Sequence, residues 1–306
     1  MRVLVTGATG FVGSRLVPEL VAAGHDVRAL VRDADRYDPP EGVEAVEGDL
    51  LHEASLSGVF DGVDAAYYLV HSMGAGQGFA ERDRRAARHF ADAADAAGVG
   101  RVVYLGGLGE TGDDLSAHLA SRREVEAVLA DADFALTVLR AAVVVGAGSA
   151  SFDVVYQLVD KLPVMVAPKW VRTPCQPIAV ADVVAYLVGV LDHPETAGET
   201  YEVGGPDVLS YQAMLERVAA LAGKRLYVVP VPVLTPKLST YWVDLVTDVP
   251  RSVVHPLIYG LKNPVVVSDD SIRDVLPIEL TPFDEAARRA LREYGEPVAA
   301  PEAADG

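Results

Sequence analysis

The sequence predicts an α/β fold, with a doubly wound parallel sheet and a smaller C-terminal lobe. Short apolar runs rich in Val, Leu, Ile and Tyr alternate with amphipathic helical patterns, as in sheets of buried parallel strands. A length of 306 residues suffices for one large domain or for a domain and a lobe. The predicted strands are 2–6, 27–31, 43–46, 64–70, 101–106 and 134–139. The predicted helices are 11–23, 53–58, 79–97, 116–130, 149–160, 179–192 and 210–222.

The first predicted strand runs into a glycine-rich turn. Residues 3–13 read VLVTGATGFVG, with Gly7, Gly10 and Gly13 at three-residue spacing before a helical pattern. Gly7 permits a sharp turn, Gly10 lets phosphate oxygens approach the backbone, and Gly13 lets the helix pack close to the strand. The N–H groups and positive dipole at the helix start suit a pyrophosphate, so the motif predicts a Rossmann-type dinucleotide site. The other turn residues expected at the cofactor are Thr9, Phe11 and Val12.

The residue after the second strand bears on the choice of cofactor. Ligands of a doubly wound sheet bind beyond the carboxyl ends of its strands, where an acidic residue would hold the ribose hydroxyls of NAD. Arg32 occupies that place here, and an arginine can pair with the 2′-phosphate of NADP. Arg36 can assist, whereas Asp33, one residue later, is the alternative for NAD. We therefore expect NADP(H) rather than NAD(H).

The segments after the third and fourth strands complete the expected site. Asp49 is expected to accept a hydrogen bond from the adenine amino group, and Leu50 to cover the ring. Leu69, Val70 and His71 are expected to pass beside the adenine ribose toward the nicotinamide. Imidazoles exchange protons near neutral pH, so His71 is a candidate catalytic residue, although a lone histidine is more often structural.

Several motifs resemble the extended and atypical short-chain dehydrogenase/reductase superfamily. The resemblance covers roughly residues 1–222 and implies a nicotinamide cofactor. Its motifs are TGATGFVG at 6–13, GDL at 48–50, PIAVADVV at 177–184 and YEVGGPD at 201–207. YYLVHSM at 67–73 and STYWVDLVTDVP at 239–250 are similar to a narrower NAD(P)-binding, epimerase-like group related to NmrA-like proteins.

The chain departs from that superfamily at the usual catalytic residues. Members typically use a serine and a Tyr-x-x-x-Lys pair, in which the tyrosine moves the proton and the lysine holds the nicotinamide ribose. The serine position here reads Gly106-Gly107, and the spacing of the pair falls on His118 and Arg122, which share a helix face. Arg122 can still bind ribose hydroxyls, and His118 is a second candidate proton donor. Alternatively, both have lost a catalytic role.

Composition excludes some partners and environments. A net charge of −18 would repel nucleic acid. Many carboxylates with few lysines predict a halophilic source, the alternative being an ordinary acidic bacterial protein. The single cysteine, Cys175, excludes an internal disulfide, is expected to be buried and inert, and favours a cytoplasmic location. We expect no membrane span, signal peptide or metal-ligand cluster.

The expected organisation is an NAD(P)-binding core at 1–150, a lobe at 151–296 and a disordered tail at 297–306. The lobe is expected to return to the core at about 174–192 and 199–205. Its Pro-rich apolar part, 226–262, is expected to bind a small hydrophobic molecule or to dock on a membrane surface or protein. The resemblance implies that any oligomer contact would form through helices 79–97 and 116–130.

Three functions remain open from the sequence. The first is an oxidoreductase that acts on a small hydrophobic substrate without the usual tyrosine and lysine. The second is a non-catalytic NADP(H)-binding redox sensor or an assembly or regulatory protein. The third is a nucleotide-sugar epimerase or dehydratase, which the missing tyrosine disfavours.

Overall fold

The computed structural model describes residues 1–72, 78–109, 117–231, 246–250 and 263–298, with backbone alone at 117–118, 167–170 and 230–231. Most of the predicted docking segment 226–262, the His118 side chain and most of the predicted tail lie outside this description. The strands are β1 Arg2–Thr6, β2 Asp26–Val31, β3 Val43–Glu47, β4 Ala65–Tyr68, β5 Arg101–Gly107, β6 Ala135–Ala141, β7 Val144–Val145, β8 Val164–Pro168, β9 Pro174–Cys175, β10 Ile178–Ala179, β11 Thr200–Val203, β12 Leu209–Ser210 and β13 Tyr227–Val231. The helices are α1 Gly13–Ala22, α2 Phe79–Ala97, α3 Ala117–Ala130, α4 Ala150–Lys161, α5 Val180–Asp192, α6 Tyr211–Leu221, α7 Ile272–Val275 and α8 Phe283–Glu293.

A seven-stranded sheet forms the centre of the first compact unit. The unit comprises Met1–Ala141, Ala181–Val203 and Val267–Glu279. Its strand order is β11-β6-β5-β4-β1-β2-β3, and every neighbouring pair is parallel. The predicted α/β, Rossmann-type fold is confirmed. In this order β1 lies between β2 and β4, so the chain reverses its direction of winding beside β1.

Helix α2 packs its apolar face against the sheet, which stabilises the helix over the range that its sequence pattern predicts. Its buried face is mostly alanine with Phe90, and small side chains let the helix approach the strands. Phe90 packs edge to face on Phe60 and on Tyr68, with ring centroids 5.3 and 5.0 Å apart. Such aromatic pairs contribute roughly 0.5–1.5 kcal/mol each beyond burial.

Two predicted elements differ from the observed ones. The predicted helix 53–58 is a short 3-10 turn, Glu53–Leu56. The predicted strand 64–70 ends at Tyr68, because the N–H of Leu69 donates to the hydroxyl of Thr6 instead of a β1 carbonyl. Leu69 and Val70 therefore belong to the segment beyond the sheet.

The second compact unit comprises Ala142–Val180, Gly204–Val266 and Leu280–Gly306. Within it, Tyr156 of α4 stacks on Tyr294 just after α8, with centroids 4.3 Å apart. Lys224 bridges the same two segments, since its Nζ lies 2.6 Å from a carboxylate oxygen of Asp160 on α4 and 3.4 Å from one of Glu296 after α8. These contacts fasten α8 to α4. Among the helices of the described ranges, none is long and apolar enough to cross a membrane.

Candidate cofactor-binding site

The glycine turn between β1 and α1 is packed so tightly that side chains are excluded. Gly7 has a positive φ of 69°, and its carbonyl oxygen accepts the N–H of Gly10 at 2.9 Å. A Cβ on Gly13 would lie 2.2 Å from that same oxygen. The start of α1 can therefore approach β1 this closely only with glycine at position 13, as the motif predicts.

The start of α1 presents unpaired backbone donors. The first bonds of the helix run from Ser14 to Gly10 and from Leu16 to Val12, each 2.9 Å. The N–H groups of Phe11, Val12 and Gly13 have no acceptor among the residues that the structure describes. Three free donors at the positive end of a helix fit a pyrophosphate. Thr9 and Gly10 are exposed beside them.

Arg15 is a neighbour of this turn that the sequence argument missed. Its guanidinium donates to the carbonyl of Phe11 at 2.9 Å and lies 4.6 Å from the centre of the Phe11 ring. It adds positive charge beside the free donors. The sequence carried a signal for this contact, because Arg15 is four residues after Phe11 and residues i and i+4 share a helix face.

The structure brings the glycine turn and the segment after β4 together. A Cβ on Gly7 would lie 3.0 Å from the carbonyl oxygen of Leu69. The hydroxyl of Thr6 joins the two strand ends, donating to the carbonyl of Tyr67 at 2.9 Å and accepting from Leu69 at 3.2 Å. Val70 is partly buried and His71 is exposed. These residues lie where the winding reverses, which is where ligands bind in such sheets.

Arg32 and Asp49 follow β2 and β3 and interact electrostatically. Asp49 accepts the N–H of Leu51 and the Nδ1 of His52, each at 2.9 Å. Burial raises the pKa of Asp49, but these hydrogen bonds and the charges of His52 and Arg32 outweigh burial, so the pKa lies below its ordinary value. Arg32 is exposed at the end of β2.

The remaining residues after β2 and β3 have different surroundings. Arg36 and Asp33 are exposed and 4.0 Å apart, so they form a weak surface pair. Leu50 is 7% exposed and packs into the hydrophobic core, and its carbonyl is 2.7 Å from the Nδ1 of His89. Asp49 retains free lone pairs for a further donor, since a carboxylate can accept about four hydrogen bonds.

Leu119 packs against the glycines at the end of β5, where the resemblance places a serine. A Cβ on Gly107 would lie 3.2 Å from Leu119, and one on Gly109 would lie 2.9 Å from it. Leu119 is 8% exposed, so the end of β5 is filled by an apolar side chain. The glycines in the sequence indicated the missing serine, but the identity of the filling residue was not apparent.

Arg122 lies on α3 beside β5. The hydroxyl of Tyr104 donates to its backbone carbonyl at 3.2 Å. The Nε of Arg122 is buried and has no hydrogen-bond partner in the described part of the chain. A guanidinium can donate to a ribose hydroxyl, and this role of Arg122 stays a prediction. His118 lies one turn earlier on α3, and its side chain is outside the described residues.

The one thiol is not part of this site. Cys175 is fully buried, as expected, and burial raises its pKa to about 11. A thiol with so high a pKa is a poor nucleophile. No three His, Cys, Asp or Glu side chains of the described ranges are grouped as metal ligands would be.

Comparison with known proteins identifies the family. A model of the NAD(P)H-binding family matches residues 7–194. Ceramide reductase of Caulobacter vibrioides is 32% identical over 168 residues, and the match covers 53% of this chain but only 52% of that protein's length. NADH dehydrogenase (ubiquinone) 1 alpha subcomplex subunit 9 of Arabidopsis thaliana is 26% identical over 303 residues, 90% of this chain and 74% of the relative.

A solved structure shares the fold. Citrobacter sp. triphenylmethane reductase complexed with NADP(H) has a TM-score of 0.75 and 21% identity, with 95% of this chain and 100% of that chain covered. The family match spans the glycine turn, the ends of β2 to β5 and α3, and it confirms the resemblance found in the sequence. The chain belongs to the NAD(P)H-binding family.

Proposed function

We propose that this protein is an NADP(H)-dependent oxidoreductase for a small hydrophobic substrate and that it works without a Tyr-x-x-x-Lys pair. The observation that carries the proposal is the row of free N–H groups at Phe11, Val12 and Gly13, at the reversal point of the sheet. Two similar proteins support it by name, a ceramide reductase and a triphenylmethane reductase, and both names denote largely hydrocarbon substrates.

Each part of the cofactor has a candidate partner in this chain. The free N–H groups of the turn hold the pyrophosphate. Arg32 pairs with the 2′-phosphate, because its exposed guanidinium follows β2, where an NAD-specific site would carry a carboxylate. Arg122 donates to the nicotinamide ribose through its half-buried guanidinium. When bound, the nicotinamide supplies or accepts a hydride.

The proton must come from a residue other than the usual tyrosine. His71 is exposed beyond β4, and His118 lies on α3 at the position of that tyrosine. Either imidazole can donate a proton near neutral pH. Leu119 packs against Gly107 and Gly109 at the end of β5 and makes this part of the site apolar, which suits a hydrophobic substrate.

A non-catalytic, NADP(H)-binding assembly or regulatory protein is the second candidate. The same Leu119 contact favours it, because the usual catalytic position is filled rather than replaced by another polar group. The alignment over 90% of this chain with a subunit of NADH dehydrogenase supports it as well.

Nucleotide binding is the first test. The purified chain is titrated with NADPH and NADH by fluorescence, alongside Arg32→Ala and the control Arg289→Ala, whose exposed guanidinium on α8 pairs with Glu285 at 3.0 Å. We expect Arg32→Ala to weaken NADPH binding about 10- to 100-fold and to leave NADH unchanged, since a charge-assisted contact contributes roughly 1.5–3 kcal/mol. Absence of binding to either nucleotide would refute the proposal.

Turnover distinguishes the two candidates. Oxidation of NADPH is followed by absorbance across quinones, enones and aldehydes. Activity that is lost in His118→Ala or His71→Ala supports the oxidoreductase. Tight binding without oxidation, together with a co-purifying protein, favours the assembly or regulatory role.

A further inference from the structure

Helix α2 buries a carboxylate within its apolar face. Asp83 is 3% exposed and lies on the same face as Ala86, Ala87 and Phe90. Its Oδ1 accepts the N–H of Ser72 at 2.6 Å, and its Oδ2 accepts the hydroxyl of Ser121 at 3.2 Å. Burial of a carboxylate is costly unless its oxygens are hydrogen-bonded, and both oxygens of Asp83 are.

The two partners of Asp83 belong to separate parts of the candidate site. Ser72 lies at the end of the segment Leu69–Ser72, whose first residue touches Gly7 of the glycine turn. Ser121 lies on α3, immediately before Arg122. One side chain thus joins the segment that carries His71 to the helix that carries Arg122.

Asp83 is not the sole polar link between α2 and α3 in the described part of the chain. An ion pair between Arg84 of α2 and Glu124 of α3, 2.8 Å apart, already joins the two helices at the surface. What Asp83 adds to that link is the bond to the backbone of Ser72. Its distinctive effect therefore falls on the segment after β4.

Asp83 and Arg122 both lie close enough to two buried tyrosines, Tyr68 and Tyr104, to shift their pKa. The hydroxyl of the fully buried Tyr68 has no hydrogen-bond partner among the described residues. Burial raises the pKa of Tyr68 and of Tyr104, the negative charge of Asp83 raises both further, and the positive charge of Arg122 opposes it. The charges of Asp83 and Arg122 therefore shift the pKa of these two tyrosines in opposite directions.

We propose that Asp83 is a positioning residue that holds the segment Leu69–Ser72 in place relative to α3 and thereby preorganises the nicotinamide end of the cofactor site. A segment that is already ordered does not have to be ordered by the cofactor, which increases affinity. The inference rests on the proposed function in one respect only, which is that NADPH is taken as the ligand of the site.

The test compares four variants. Asp83→Ala removes both bonds, Ser121→Ala removes one, and Asp83→Asn keeps an oxygen that can accept the N–H of Ser72. Thr137→Val is the matched control, because it removes a buried hydroxyl that donates to the carbonyl of Thr196 at 2.8 Å, away from this segment. The readouts are melting temperature, NADPH affinity, and hydrogen exchange of residues 69–72 in the protein without nucleotide.

We expect Asp83→Ala to weaken NADPH binding on the order of tenfold and to speed exchange at residues 69–72, because the segment loses its order. Asp83→Asn should keep most of the wild-type NADPH affinity and most of the wild-type protection from exchange. Thr137→Val should lower the melting temperature without changing NADPH affinity or exchange at residues 69–72. Wild-type affinity and exchange in Asp83→Ala would overturn the proposal, as would losses in Thr137→Val of the same size. If Asp83→Ala does not fold, Ser121→Ala and Asp83→Asn decide. Faster exchange at residues 69–72 in Ser121→Ala, with near wild-type exchange in Asp83→Asn, supports the proposal. Unchanged exchange in Ser121→Ala refutes it.

The exchange measurement needs no cofactor. A wild-type protein that binds no NADPH would refute the proposed function, while faster exchange in Asp83→Ala would still support the positioning role. The two failures are therefore distinguishable.

Discussion

Single replacements in the glycine turn should separate folding from cofactor binding. A Cβ on Gly13 would lie 2.2 Å from the carbonyl oxygen of Gly7 and 2.9 Å from the Cα of Ala8. Both are backbone atoms, so no side-chain rotation relieves the overlap. A Cβ on Gly10 would lie 3.1 Å from the same oxygen, a contact that a shift of a few tenths of an ångström relieves.

The magnitudes follow from these contacts. Gly13→Ala must move the start of α1 away from β1, and overpacking of this kind costs about 1–3 kcal/mol. The better helix propensity of alanine returns at most about 1 kcal/mol, so the clash dominates. The 2.2 Å contact with a backbone atom places the clash near the upper end of that range, so the net cost is about 2–3 kcal/mol. At roughly 2–4 °C per kcal/mol, we expect the melting temperature of Gly13→Ala to fall by roughly 4 to 12 °C.

Gly10→Ala should have the opposite profile. Its melting temperature should stay within about 2 °C of the wild type. Its affinity for NADPH should fall about tenfold or more, because a methyl group there separates the phosphate from the free N–H groups and such contacts contribute roughly 1.5–3 kcal/mol.

Thermal denaturation and NADPH titration measure the two effects. Gly100→Ala is the control, because a Cβ there would lie 3.7 Å from its nearest neighbour, the carbonyl oxygen of Asp64, an ordinary contact. A Gly13→Ala protein with wild-type stability, or a Gly10→Ala protein with wild-type affinity, would refute the reasoning.

Three further predictions concern stability. Both ring nitrogens of His25 are buried and lack hydrogen-bond partners in the described residues, and burial followed by the charge of the N-terminal amine lowers its pKa. The unfolded chain therefore binds this proton more tightly, so stability should fall as the pH drops below about 6.5. A urea midpoint whose dependence on pH is the same in His25→Gln would contradict this. Leu119→Ala should lower the free energy of unfolding by about 2–5 kcal/mol through the cavity left beside Gly107 and Gly109, and wild-type stability in chemical denaturation would show that the space is not filled as described. With a net charge of −18, the melting temperature should rise with KCl, and a maximum in dilute buffer would exclude halophilic adaptation.

The sequence alone determined the central elements of the fold and the glycine turn of the candidate site. The range of α2 was predicted correctly because its apolar stripe is a local pattern. The glycine turn was recognisable because three glycines after an apolar run restrict a local backbone path. The end of β4 was not predicted, because Leu69 and Val70 are as apolar as the strand, and it is the Thr6 hydroxyl of a distant strand that ends the pairing.

Only the tertiary structure decided what surrounds the catalytic end of the site. Neither the contact of Leu119 with Gly107 and Gly109 nor the bonds from Asp83 to Ser72 and Ser121 could be inferred from the sequence. From the sequence alone, Asp83 cannot be distinguished from the solvated charged residues of the same helix. Its role depends on which face of α2 meets the sheet and on what the neighbouring loop and helix place there. Periodicity and spacing are properties of one segment, whereas these contacts arise from the packing of several segments that are far apart in the chain.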